Sequence, residues 1–201
     1  MRTPKSRHPG GINLTERAVR LAQLAPGMRV LDVGCGDGVT VELLRAQRID
    51  AIGVDIAPYN PEKHDYILRA NAMTLPFADG EFDAIIYECC LSIMPDAIAA
   101  LREAERILKP RGILIMSDVV SKKMAPGMPW ITDDIRKILK WAGFGIEISE
   151  DHTPALITYA AEAIENCSYD GCGGADGLED ICNGVDARKL GYCLVIARRY
   201  Q

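Results

Sequence analysis

The chain has 201 residues, 48% of them hydrophobic and 25% charged, a composition that suits one soluble globular domain and excludes wholesale disorder and fibrous architectures. Its formal net charge of -5, with no Lys/Arg-rich run, leaves no field for the backbone of a nucleic acid, so bulk nucleic-acid binding is not expected. No apolar run approaches the length of a membrane span and no signal-like apolar core opens the chain, so a cytoplasmic protein is expected.

The elements follow in order. "HPGGINLTERA" (8–18) reads as a surface helix capped by Thr15. "RVLDV" (29–33) is a strand that runs into the glycine loop "GCGDG" and a helix beginning "VTVELLRAQ". Further strands are expected over 50–56, 65–73, 82–89 and 112–120. An amphipathic helix over 95–109 lies between the last two, with Ile98, Leu101, Ala104, Ile107 and Leu108 on one face. A helix over 132–143, with Thr132 as cap, a strand over 144–150 and a last strand over 189–199 complete the pattern. Ile- and Val-rich strands alternating with helices predict an α/β, doubly wound, mostly parallel seven-stranded sheet. The whole chain, 1–201, is one domain, in which 152–188 is a cysteine-containing insertion before the last strand.

Ligands of such sheets bind beyond the carboxyl ends of the strands, where glycine allows close backbone approach. Gly34, Gly36 and Gly38 provide that loop, and Asp55, 19 residues beyond Gly36, stands where an acid can hold ribose hydroxyls. The spacing is GxGxG, not the GxGxxG of a pyrophosphate site, and no GK[ST] follows.

"VLDVGCGDG", "GVDIA", "ANAMTLPFADGEFDAI" and "ALREAERILKPRGILIMSDV" resemble, in order, the motifs of class I S-adenosylmethionine-dependent methyltransferases. The resemblance implies a Rossmann-like methyltransferase fold, S-adenosyl-L-methionine as cofactor and a small-molecule substrate. It puts Gly34, Cys35 and Gly36 at the methionine end, Asp55 and Ile56 at the ribose, and Asn71, Ala72 and Met73 at the adenine. Glu88 stands near the methionine portion through its backbone carbonyl, and Asp32 either binds its amine or braces the loop. Gly10 and Gly11 resemble a segment that some relatives fold over the methionine end. Two positions depart from the pattern: Asn71 stands where many relatives have Asp, and Arg111 replaces the first glycine of Lys-Pro-Gly-Gly, where it needs a negative φ or accepts strain.

"YECCLSIMPD" (87–96) is similar to the corresponding stretch of arsenite methyltransferases, which implies Cys89 as the thiol at the acceptor, in a catalytic role. Thiolates suit a soft metalloid, and a thiol near a helix N-terminus ionises more readily. The further ligand cysteines of those enzymes have no counterparts before the glycine loop or just after the fifth strand. A thiol or metalloid acceptor therefore stands beside quinone-like or other small acceptors, and beside a non-catalytic cofactor-binding or metal-linked module. No resident metal site is predicted. Cys90, Cys35 and Cys193 read as core, and Tyr87 as core-facing. Cys167, Cys172 and Cys182 read as loop thiols, a metal or redox cover, or a disulfide. His64 and His152 read as solvated residues or a base, and Trp130 as pocket wall or packing.

Overall fold

The computed structural model describes residues 8–58, 64–121, 132–167 and 190–201. Its elements are α1 (Gly11–Leu21), β1 (Arg29–Val33), α2 (Val39–Ala46), β2 (Asp50–Asp55), β3 (Ile67–Arg69), β4 (Phe82–Glu88), α3 (Ala97–Ile107), β5 (Leu108–Ser121), α4 (Thr132–Trp141), β6 (Phe144–Asp151), α5 (Thr153–Cys167) and β7 (Leu190–Arg199). They form a seven-stranded sheet in the order β3-β2-β1-β4-β5-β7-β6, with β7 antiparallel to both neighbours and the remaining described pairings parallel. The expected mixed, doubly wound sheet is therefore present. Its order reverses between β1 and β4, which opens a crevice at the carboxyl ends of those strands.

Apolar residues cover both faces of the central strands. Leu31, Ile85 and Leu114 pack on one side with Leu101, Ile107 and Leu139, and Val30, Ile86 and Ile115 on the other with Ala18, Val41 and Leu44. Residues of both faces are wholly buried, which is why these strands read as continuous apolar runs. α3 starts where expected because the Asp96 carboxylate accepts the Ala99 amide at 2.9 Å.

Three elements depart from the sequence reading. β3 spans three residues, because the chain turns at Asn71, whose side-chain oxygen takes the Met73 amide and whose carbonyl takes the Thr74 amide. α1 is capped by Gly10 at φ 81, not by Thr15, which lies inside the helix and is 2% exposed. Arg111 takes the strained alternative, with φ 62 in the left-handed region. Within the expected insertion, α5 runs to Cys167. Cys172 and Cys182 lie outside the described residues, as does Trp130.

Candidate active site

A cavity of about 390 Å³ opens at the sheet's switch point. The ends of β1, β2 and β4 supply its floor, the glycine loop one wall, and the chain after β4 another. Of the residues singled out in the sequence, Asp32, Gly34, Cys35, Gly36, Asp55, Ile56, Asn71, Ala72, Met73, Glu88 and Cys89 line it. Gly10 and Gly11 are not among the lining residues; from that segment it is His8 that reaches the wall. Gly10 has a local reason to be glycine, since a Cβ there would lie 2.8 Å from the Leu14 Cβ.

The glycine loop fits a bound ligand. At Gly34, φ is 76 and a Cβ would stand 2.7 Å from the Cys90 Cβ, so the loop can pass only as glycine. Gly36 combines φ 53 with open space where its Cβ would be. Its amide donates to Asp55 Oδ2 at 3.0 Å, while the Ala57 amide donates to Oδ1 at 2.8 Å. The Asp55 carboxylate is therefore fixed at the end of β2 and keeps lone pairs for ribose hydroxyls. Asn71 likewise keeps a second lone pair on its side-chain oxygen for an adenine amino group.

The electrostatics favour a cation. Asp32, Asp37, Asp55 and Glu88 line the cavity, and no lysine or arginine does among the described residues. Asp32 is 3% exposed, and burial first, then the Glu88 charge, pushes its carboxyl well above the ordinary range. A sulfonium or ammonium group in this space would offset that penalty. S-adenosylmethionine carries both when bound and supplies an already activated methyl group.

The two adjacent thiols are unlike. Cys90 is 8% exposed and donates to the Val33 carbonyl at 3.0 Å, so it packs with the core although, like Cys35, it borders the cavity; Cys193 is core. Cys89 lines the cavity in a strained left-handed conformation, φ 55, with its amide bound to the Ser117 carbonyl at 2.7 Å. The expectation that it ionises readily is overturned. Burial, then the Asp118 charge, pushes the Cys89 thiol up to about 12, against the opposing hydrogen bond with Tyr192. Among the described residues no group of His, Cys, Asp and Glu is arranged to hold a metal ion.

Asp118 shapes the wall beyond Cys89. Its carboxylate accepts the amide and hydroxyl of Ser92 at 2.9 and 2.6 Å, pinning the short 3-10 turn Leu91–Ile93. Ile93, Met94 and Pro95 then form an apolar side of the cavity, with Ile93 74% exposed at its rim. His64 bonds Tyr66, His152 bonds Glu150, and neither lines the cavity. Tyr87 is core, donating to the Ala100 carbonyl.

Sequence reasoning did not find His8, Thr15 and Thr40. Thr15 donates to Glu88 Oε1 at 2.8 Å and Thr40 to Oε2 at 2.7 Å. A signal was present, since Thr15 falls on the buried stripe of α1 with Leu14, Ala18 and Val19, where an unpaired hydroxyl would be costly.

Known proteins match this fold and glycine loop together. A family model described as "Methyltransferase domain" matches residues 31–116, the stretch from β1 through β5 that builds the cavity. The match and the sheet order together support a class I S-adenosylmethionine-dependent methyltransferase. The chain is 28% identical to the O-methyltransferase cnsE of Penicillium expansum, over 92% of this chain and 76% of that one. An arsenite methyltransferase of Aquipseudomonas alcaligenes is 35% identical over 50% of this chain and 35% of its own length. The crystal structure of the [4+2]-cyclase SpnF superposes with a TM-score of 0.75 at 27% identity, covering 94% of this chain and 80% of that one. Because the fold also carries a reaction named otherwise, the chain's substrate has to be argued from its own side chains.

Proposed function

We propose that this methyltransferase methylates a hydroxyl oxygen of a small, uncharged and largely apolar acceptor such as a phenol, catechol or quinol. The carrying observation is the acceptor wall of Cys89, Ile93, Met94 and Pro95 in a cavity whose described charged residues are all acids. An anionic acceptor would meet repulsion from those acids and find no lysine or arginine among the described lining residues. An apolar ring would gain from burial against Ile93 and Met94. Asp55 and Asn71 would hold the nucleoside of the donor, the glycine loop its methionine end, and the wall after β4 the acceptor. The likeness to an O-methyltransferase agrees with this reading.

A thiol or arsenite acceptor is the second reading, favoured by the likeness to an arsenite methyltransferase and by Cys89 on the wall. Against it stand the neutral state of that thiol and the lack of partner ligands among the described residues.

Incubation with methyl-labelled S-adenosylmethionine and separate samples of catechol, a hydroquinone, a monothiol and arsenite distinguishes the two. Label is expected in the catechol or hydroquinone product, with turnover kept in Cys89→Ser. Label found only in arsenite or thiol, and lost in Cys89→Ser, would overturn the hydroxyl reading.

A further inference from the structure

Glu88 ends β4 on the cavity wall, and its carboxylate is held from other elements, by Thr15 of α1 and Thr40 of α2. Beyond Thr15 stands His8, 7% exposed and also on the wall. Its Nε2 lies 3.2 Å from the Thr15 hydroxyl oxygen and 3.6 Å from Glu88 Oε2. Its Nδ1 lies 3.1 Å from the Pro9 carbonyl oxygen, which can only accept, so Nδ1 carries a proton.

Counting protons along this chain gives it a chemical property. The single hydroxyl proton of Thr15 faces two neighbours, His8 Nε2 and Glu88 Oε1. With no other proton present, it satisfies one of them and the second contact opposes lone pairs. One added proton satisfies both contacts. On Nε2 it makes an imidazolium facing a carboxylate; on Oε1 it makes a neutral imidazole facing a carboxyl group. The two forms interconvert by proton shifts through the Thr15 oxygen, with no heavy atom moving.

We propose that His8, Thr15 and Glu88 form a proton relay that accepts the proton released when the hydroxyl acceptor is methylated. This rests on the hydroxyl reading above. The acceptor oxygen gains the methyl carbon and gives its proton to Glu88, while the electron pair of the broken carbon–sulfur bond stays on sulfur. Thr15 passes its own proton to His8 Nε2 and takes the one from Glu88, so the relay ends one proton richer and later returns it to solvent. Glu88 is next to Cys89, where the acceptor wall begins, which puts the relay's inner end at that wall. The other ionisable groups facing the pair are Asp32 of β1, Cys89 and Cys90 after β4, and Tyr192 of β7, each held toward its neutral form chiefly by burial. Asp37 and Asp55 belong to the glycine loop and the end of β2, and Asp55 is already bound by two backbone amides.

The relay is tested first without turnover. The chain has three histidines, and in protein labelled with 15N-histidine the His8→Gln variant assigns the His8 signals. At one fixed pH the His8 Nε2 chemical shift is expected to differ between wild type, Thr15→Val and Glu88→Gln, with Thr15→Ser restoring the wild-type position. Identical signals in all four would overturn the relay. Turnover of catechol tests the base role. Thr15→Val should lower kcat about 100-fold while S-adenosylhomocysteine binds within about threefold of wild type, and Thr15→Ser should retain activity. The loss should shrink for a nitrocatechol whose hydroxyl is ionised before binding. Equal catechol turnover by wild type and Thr15→Val would overturn the base role alone. A wild type that methylates thiols or arsenite but no hydroxyl would overturn the hydroxyl reading, and the base role with it.

Discussion

Asp55 and Glu88 are both acids at the carboxyl ends of parallel strands, and they are held in unlike ways. Asp55 takes backbone amides from Gly36 and Ala57, which lie 19 and 2 residues away. Glu88 takes side-chain hydroxyls from Thr15 and Thr40, which lie 73 and 48 residues away. The proposed nucleoside end is thus fixed by nearby backbone amides. The end where donor methyl and acceptor meet depends on particular side chains from distant helices. Variation in acceptor among proteins sharing this fold is expected to concentrate in the second group.

Removing each kind of anchor gives the largest contrast. Asp55→Ala should weaken S-adenosylhomocysteine binding about 10- to 100-fold by calorimetry, the loss of charge-assisted bonds worth about 1.5–3 kcal/mol. Thr15→Val should leave that affinity near wild type and act on kcat. Equal effects of the two on binding would erase the distinction between the ends.

Asp32 offers a contrast between stability and binding. Its carboxyl is raised above 3.8 in the fold, so its contribution to stability is intact below about that pH and is lost as pH rises through the raised value. Asp32→Asn should therefore raise the melting temperature of the ligand-free protein at neutral pH. The same change should weaken S-adenosylmethionine binding about tenfold, and binding of the uncharged thioether product less. A lower melting temperature with unchanged binding would mean that Asp32 only braces the loop.

Cys89 sharpens the acceptor end. With its thiol pushed up to about 12, its alkylation by iodoacetamide should still rise about tenfold per pH unit between about pH 9 and 10. A rate that levels off near the ordinary thiol value of about 8.5 would return Cys89 to the thiolate role. The smallest effect lies near the amino end of β5, at the opposite end of the parallel strands from the site. Arg111→Gly, which relieves the left-handed backbone at φ 62, should stabilise the protein by about 1 kcal/mol. That is about 2–4 °C in melting temperature for a domain of this size. No gain would mean that the local turn stores no strain.

Much of the scaffold was legible because its signals are local. Buried parallel strands need apolar residues on both faces, the turn at Gly34 and Gly36 needs positive φ, and Asp96 caps α3 within its own first turn. Asp55 followed from its place at the end of the second strand, and Asn71 from the resemblance to class I methyltransferases. β3 was overestimated because Asn71 bonds its own backbone, a local competitor that apolar periodicity does not register. Thr15 was misread because hydroxyls usually favour helix starts, whereas here the residue is buried and paired across the fold.

The sequence by itself determined the order of strands and helices, the glycine loop and the acid after the second strand, since each is a short-range pattern in a continuous stretch. The resemblance of "YECCLSIMPD" to arsenite methyltransferases also set Cys89 apart from Cys90, which read as a small core hydrophobe. Only the tertiary structure decided that Cys89 is a half-buried thiol held toward its neutral form and that His8, Thr15 and Thr40 converge on Glu88. Both depend on how much protein surrounds a group and on which distant side chains reach it, and neither is written in local spacing.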